Sequence, residues 1–116
     1  MGIELIDDSK EYELKHPSGS VFVLKHWTIS MQEETDRRCM QLDDSKSKVL
    51  GYNIALAQEL KVEFCLKNWK EVSLNGQEAP CVSENKKKLP VGVLLWLIRE
   101  IDERAGLRMT EEEKKN

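Results

Sequence analysis

Polar and apolar positions alternate along Glu11-Tyr12-Glu13-Leu14-Lys15, the period of a half-buried β-strand. The run from Ser20 to His26 is rich in β-branched and aromatic side chains. It puts Phe22 and Leu24 on one face and Val21 and Val23 on the other. Between the two runs stands His16-Pro17-Ser18-Gly19. Pro17 presets the backbone for a turn, and Gly19 can take the positive φ that closes a short hairpin loop. The spacing predicts a β-hairpin over residues 11–27. Apolar residues on both faces of its second strand predict cover on both sides, at least in part. Two strands alone are marginal in water, so the hairpin must pack on helices or another sheet.

The period then lengthens. Ser30-Met31-Gln32-Glu33 has the form of a capping box, in which the Ser hydroxyl accepts from the amide three residues on and Glu33 reaches back. Met31, Thr35, Cys39 and Leu42 form a thin apolar stripe behind it. Asp43-Asp44-Ser45 breaks the pattern and offers caps for a second helix over residues 46–67. Val49, Tyr52, Leu56, Leu60 and Phe64 give that helix its stripe, widened by Leu50, Ile54 and Ala57. Val62 to Leu66 also alternates as a strand would, but the unbroken stripe favours helix. Residues 68–84 form a connector with turn chemistry at Asn68, Asn75-Gly76 and Pro80. Trp69 and Val72 tuck apolar groups from it onto the core, and Asn75-Gly76 also suits a second small hairpin. A third helix starts at Pro90 and carries Leu94, Leu97, Ile98, Ile101 and Ala105 on one face. Gly106 ends it as a C-cap. The expected fold is α+β: a mostly helical single domain over residues 1–106, its N-terminal hairpin packed on about three helices. A charged, frayed tail follows over residues 107–116.

At 116 residues, with 40% apolar and 34% charged side chains, the chain supports one modest core. The net charge of −3 is uneven, with an acidic front half and a mildly basic rear. Lys86-Lys87-Lys88 stands alone as a basic cluster, without interleaved aromatics, so nucleic acid is not an expected partner. The longest apolar run, Val93 to Ile98, falls far short of the ~18 residues that a membrane span needs. Met1 to Asp8 lacks the basic start and apolar middle of a signal peptide, and position 6 is not the Ser or Thr of a myristoylation signal. The cytoplasm is the expected compartment, and no membrane partner is expected.

Candidate chemistry is sparse. Cys39, Cys65 and Cys81 are odd in number and widely spaced, which suits small buried thiols rather than disulfides or zinc. Cys65 or Cys81 could meet His16 or His26 only through folding. Asp7-Asp8 and Asp43-Asp44 are sequence neighbours, which suits caps or solvated charge better than carboxylates converging across a cleft. No phosphate loop, dinucleotide fingerprint, zinc-protease helix or nucleophile elbow occurs. The expectation is a non-enzyme with no cofactor and no metal.

Three tryptophans carry more information. Trp27 ends the hairpin, Trp69 opens the connector and Trp96 lies on the third helix. That helix is apolar nearly all round through residues 93–98. Either it meets a partner or a second copy, or the hairpin and connector cover it.

The rear half also reads Trp69-Lys70-Glu71-Val72, Asn75-Gly76, Ala79-Pro80-Cys81, Ser83-Glu84-Asn85, Leu89-Pro90 and Trp96-Leu97-Ile98, with an acidic end at Glu111-Glu112-Glu113-Lys114. In this order, and with the Pro-x-Gly hairpin of Tyr12 to Trp27, the chain resembles small tail assembly chaperones of tailed phages or prophages. The resemblance implies a non-enzymatic protein of the host bacterial cytoplasm. It would bind the long helical tape measure protein, keep it soluble and help the major tail protein polymerise around it. Self-association is compatible with that role. Trp69, Trp96, Val93 and Leu95 are the expected partner contacts. The family also implies a longer frameshifted product, for which Lys114-Lys115-Asn116 offers an A-rich codon run. The rival reading is a small structural virion component, such as a head–tail joining protein, which would form a persistent ring.

Overall fold

The computed structural model describes residues 2–43 and 48–106. Its elements in chain order are β1 (Glu11–Lys15), β2 (Val21–Lys25), α1 (Ile29–Cys39), β3 (Met40–Asp43), β4 (Lys48–Tyr52) and α2 (Ile54–Cys65). They continue with β5 (Leu66–Lys70), β6 (Ser73–Leu74), β7 (Gln77–Glu78), α3 (Ser83–Lys86) and α4 (Val91–Arg104). The fold is α+β, as the periodicity predicts. Asp44, Ser45, the start of the expected second helix and the tail over residues 107–116 lie outside the described residues.

The hairpin forms where the alternation places it. β1 and β2 pair antiparallel with Leu14 opposite Phe22 and Tyr12 opposite Leu24. Gly19 takes φ +103°, a conformation closed to most L residues, and the His16 amide donates to the Ser20 carbonyl at 2.9 Å. β5 adds antiparallel to the other side of β2, with Trp69 opposite Phe22 and Leu66 opposite Leu24, giving the order β1-β2-β5. One face of this sheet carries Leu14, Phe22, Leu24, Leu66 and Trp69, all buried against Val62 and Cys65 of α2 and Leu97 and Ile101 of α4. Val21 and Val23 on the opposite face stay half-buried among their cross-strand neighbours Lys15, Lys70, Glu13 and Asn68. Among the described residues the helices cover one face, and on the other Val21 and Val23 lie beside polar cross-strand neighbours whose stems lend partial cover.

The helix boundaries correct the sequence reading in three places. The cap of α1 is Thr28, whose hydroxyl accepts from the Met31 amide at 3.3 Å, so the expected capping box at Ser30 lies inside the helix. Thr28 wins because the helix must begin directly behind Trp27, which is buried and donates its indole N–H to Gln32. The expected helix over 46–67 is shortened at both ends. Residues 48–52 form β4, which pairs with β3 across Met40–Tyr52 and Gln41–Gly51. Asn53 then caps α2 by accepting from the Leu56 amide at 3.0 Å. At the far end the helix turns straight into β5 at Leu66, because pairing with β2 wins over helical continuation.

The tight turn at Asn75-Gly76 and the glycine end of the last helix hold. Asn75 and Gly76 both adopt positive φ, 53° and 82°, in the tight turn joining β6 to β7. α4 begins at Val91, one residue later than expected, with Pro90 as its N-cap rather than in its first turn, and Gly106 ends it at φ +76°, its amide donating to the Glu103 carbonyl at 3.2 Å. No helix among the described residues is long and apolar enough to cross a membrane.

Leu97 is fully buried, while Leu95 of the same helix is 46% exposed. Leu97→Ala is expected to lower unfolding free energy by about 2–5 kcal/mol, and Leu95→Ala by roughly 0.5 kcal/mol or less. Urea titration of both variants checks this contrast. Burial also pushes the Cys65 thiol and the Tyr12 phenol each up to about 12. The folded chain therefore holds both protons more tightly than the unfolded chain does. That stabilisation is complete below the unfolded thiol's ordinary 9.0 and is lost as pH rises through about 12. Circular dichroism should accordingly show stability falling along the alkaline limb; a stability constant up to pH 12 would contradict the assignment.

Candidate functional site

The four residues expected to contact a partner do not form one surface. Trp69 is only 6% exposed. Its indole N–H donates to the Ala79 carbonyl at 2.7 Å, and its ring meets Phe22 edge-on at 6.4 Å. Trp69 is therefore a core anchor that ties the connector to β5, and the expectation of a partner contact there is corrected. Trp96 is half-buried against the sheet, 4.9 Å from His16 in an edge-on pair and 6.1 Å from Phe22. Val93 is half-buried against the same core. Leu95 is the one that faces out, and Val91, one turn earlier at 69% exposure, extends its patch. The reason is helical geometry: at about 100° per residue, Leu95 and Val91 share a side of α4 that Val93 and Trp96 do not.

A groove of about 400 Å³ lies between α2, α3 and the start of α4, which contributes Leu94 to its lining. Leu56 and Leu60 stand one turn apart on α2, and Leu89 and Leu94 face them from the other wall. Glu59 and Glu63 form the α2 rim at the same i, i+4 spacing, and Ser83, Lys86 and Lys87 form the α3 rim. The rim is braced. Ser83 Oγ donates to Glu63 Oε1 at 2.5 Å, and Lys86 Nζ lies 3.8 Å from the same carboxylate oxygen. The Lys86 side chain is only 11% exposed, so its stem lines the wall while its head bonds across it. The lysine cluster is thus not simply a hydrated loop: Lys86 holds α3 to α2, and Lys87 and Lys88 face solvent.

A second hollow of about 240 Å³ lies on the far side of α2, lined in part by Trp27, Thr35, Lys61, Ile98 and Asp102. Lys61 and Asp102 form an ion pair there, both mostly buried, beside the Trp27 ring. The pair braces α2 against α4 and leaves neither charge free for a ligand.

Comparison with protein-family models, with curated proteins and with solved structures finds no match.

The thiols and imidazoles are dispersed. His16 shares its Nδ1 with Ser18 Oγ at 2.8 Å in the hairpin turn, and His26 lies against Tyr12 at 4.8 Å. Burial raises the Cys81 thiol, which is the wrong direction for a nucleophile. Asp7 is held below its usual range by the Ser9 hydroxyl and amide, as a turn residue would be. Among the described residues, no group of three or more His, Cys, Asp or Glu side chains is placed to hold a metal ion. The arrangement suits binding of an apolar ridge flanked by polar groups.

Sequence reasoning missed the groove, whose walls come from three separate segments. One signal was present. The pairs Leu56/Leu60 and Glu59/Glu63 lay an apolar and an acidic stripe side by side on α2, wider than its core contact through Val62 and Cys65 requires.

Cys39 and Cys65 are buried, and Cys81 is half-buried. A thiol reagent at neutral pH is expected to modify Cys81 alone, and slowly, with all three reacting in denaturant. Rapid modification of two or three thiols in the folded chain would contradict this placement.

Proposed function

We propose that this chain is a non-enzymatic protein-binding module that holds an apolar helical segment of another protein in the α2–α4 groove. The observation that carries the reading is the groove itself. It has an apolar floor of Leu56, Leu60, Leu89 and Leu94 and a braced polar rim, and Val91 and Leu95 stand exposed elsewhere on α4. An amphipathic helix presents anchors at i, i+3, i+4 and i+7, which is the form such a floor accepts. Both rim charges are present, so the polar margins of the bound helix would pair with Lys87 on one side and Glu59 on the other.

The finer reading follows the sequence resemblance. The partner is the tape measure protein of a tailed phage, and the chain is a tail assembly chaperone that shields it until the major tail protein polymerises around it. A tape measure protein is long, helical and apolar, and a groove of this chemistry binds such segments without needing a catalytic group. Leu95 remains the partner contact from the sequence reading. Trp96 and Val93 pack toward the core instead, and Leu56, Leu60, Leu89 and Leu94 take the place of Trp69.

Co-expression with the neighbouring long coiled-coil reading frame, followed by affinity capture and size measurement, tests this. A soluble complex is expected, with the long protein insoluble when expressed alone. Leu56→Glu places a charge on the floor at a partly exposed position outside the buried core cluster. It should reduce capture at least tenfold with the circular dichroism spectrum unchanged. Capture unaffected by Leu56→Glu would remove the groove from the reading, and a stable ring of this chain alone with no complex would favour a structural virion part.

A further inference from the structure

Two uncovered surfaces of this chain match each other in kind. The first is the segment ahead of β1. Ile3, Leu5 and Ile6 are 97%, 88% and 51% exposed, and Glu4, Asp7 and Asp8 accompany them. Three large apolar side chains within four residues gain by leaving water, yet they pair with no strand of the described sheets. A turn sets the segment apart from β1: the Ser9 amide donates to the Asp7 carboxylate at 3.0 Å and the Lys10 amide to the Asp7 carbonyl at 3.1 Å. The second surface is the α2–α4 groove.

The two agree in spacing, and among the described residues the groove offers the arm one free cation. Two residues along an extended chain advance about 6.6 Å, close to the roughly 6 Å along α2 between Leu56 and Leu60. Ile3 and Leu5 can therefore each meet one leucine of the floor. Of the four rim charges, Glu63 and Lys86 engage each other, which leaves Lys87 and Glu59. The carboxylates of the arm can meet Lys87 on the α3 rim, with Glu59 left on the opposite rim.

Reach decides which copy supplies the arm. β1 begins beside the C-terminal end of α4, where the Arg104 guanidinium lies 4.3 Å from the Tyr12 ring centroid. The groove opens at the other end, at Leu89 and Leu94. From Arg104 to Leu94 is about 15 Å along the helix. The turn holds Asp7 within about 7 Å of Lys10, so Leu5 reaches no more than about 14 Å from Lys10. That does not cover the axial distance, and the path must also cross from the sheet side of α4 to the α2 side.

We propose that residues 3–8 dock in the α2–α4 groove of a second copy of this chain, in a reciprocal exchange of arms. Reciprocity doubles the contact and brings it toward the roughly 1,000 Å² that a specific interface needs. The arm then occupies the groove that a client helix would take, so self-association and client binding compete. This competition rests on the protein-binding reading of the groove.

Mixed-cysteine cross-linking of full-length chains tests the exchange. In a Cys81→Ser background, one chain carries Leu5→Cys and the other Leu56→Cys, with Ile29→Cys, an exposed site on α1, replacing Leu56→Cys as the control. A disulfide between Leu5→Cys and Leu56→Cys is expected to form at least tenfold faster than one with Ile29→Cys. Sedimentation should show a concentration-dependent dimer of the native chain whose Kd rises at least tenfold in Ile3→Asp/Leu5→Asp. Equal cross-linking rates would overturn the proposal. So would a native chain that stays monomeric, or a chain with both cysteines that links only to itself. An apolar amphipathic helical peptide separates the two readings. If it binds Ile3→Asp/Leu5→Asp more tightly than the native chain, the exchange and the competition are both supported. If it binds both alike and the native chain is monomeric, only the exchange falls. If the dimer and cross-link form but the peptide binds neither, only the client-binding reading falls.

Discussion

Phe22 and Leu24 lose nearly all contact with water because β5 returns from the far half of the chain to lie beside β2. This pairing is the constraint that the other elements obey. It puts Trp69 against Phe22 and Leu66 against Leu24, and it fixes the end of α2, which runs into β5 without an intervening loop. α4 then has one place to put Leu97 and Ile101, over the same sheet face. The gain comes from apolar area removed from water, at about 25 cal/mol per Å². It is concentrated in a few large side chains from five elements.

The polar contacts brace this arrangement more than they drive it. Lys61 and Asp102 join α2 to α4 beside the Trp27 ring, where a charge left alone would be costly. Glu63 gathers Ser83 and Lys86 and so sets the position of α3. By contrast, Glu34 lies at the surface between Arg37 and Arg38. Its hydrogen bonds with the two guanidinium groups hold its carboxyl down at about 2, but solvent screens such a pair and it adds little to the fold. The useful ion pairs are those that link separate elements, and both sit beside hollows. The groove exists because α2 and α4 are tied through the core and through Lys61–Asp102, while the short α3 fills only part of the gap between them.

The site was less legible than the fold. Composition and missing motifs raised the expectation of binding rather than catalysis, and of the four expected contacts Leu95 is exposed, while Trp69 is buried. Trp69 misled because a large aromatic in a turn-rich segment reads equally as an interface anchor or a core plug. Only the Ala79 carbonyl, which accepts its indole N–H, distinguishes the two. Leu56, Leu60 and Leu94 read as ordinary core leucines, because a stripe does not record how much of it its neighbours cover.

By itself the sequence determined the features that depend on near neighbours. These are the hairpin at Pro17-Ser18-Gly19, the tight turn at Asn75-Gly76, the buried face of α4 and its end at Gly106, each set by backbone preference or by side chains a few positions apart. Tertiary structure decided where α2 starts and stops. Val49 and Tyr52 fit a helical stripe as well as a strand, and pairing of β4 with β3 chose the strand. Val62 to Leu66 fit both, and the edge of β2 drew Leu66 into the sheet. It also decided which apolar residues stay uncovered, since exposure depends on the packing of segments that are distant along the chain.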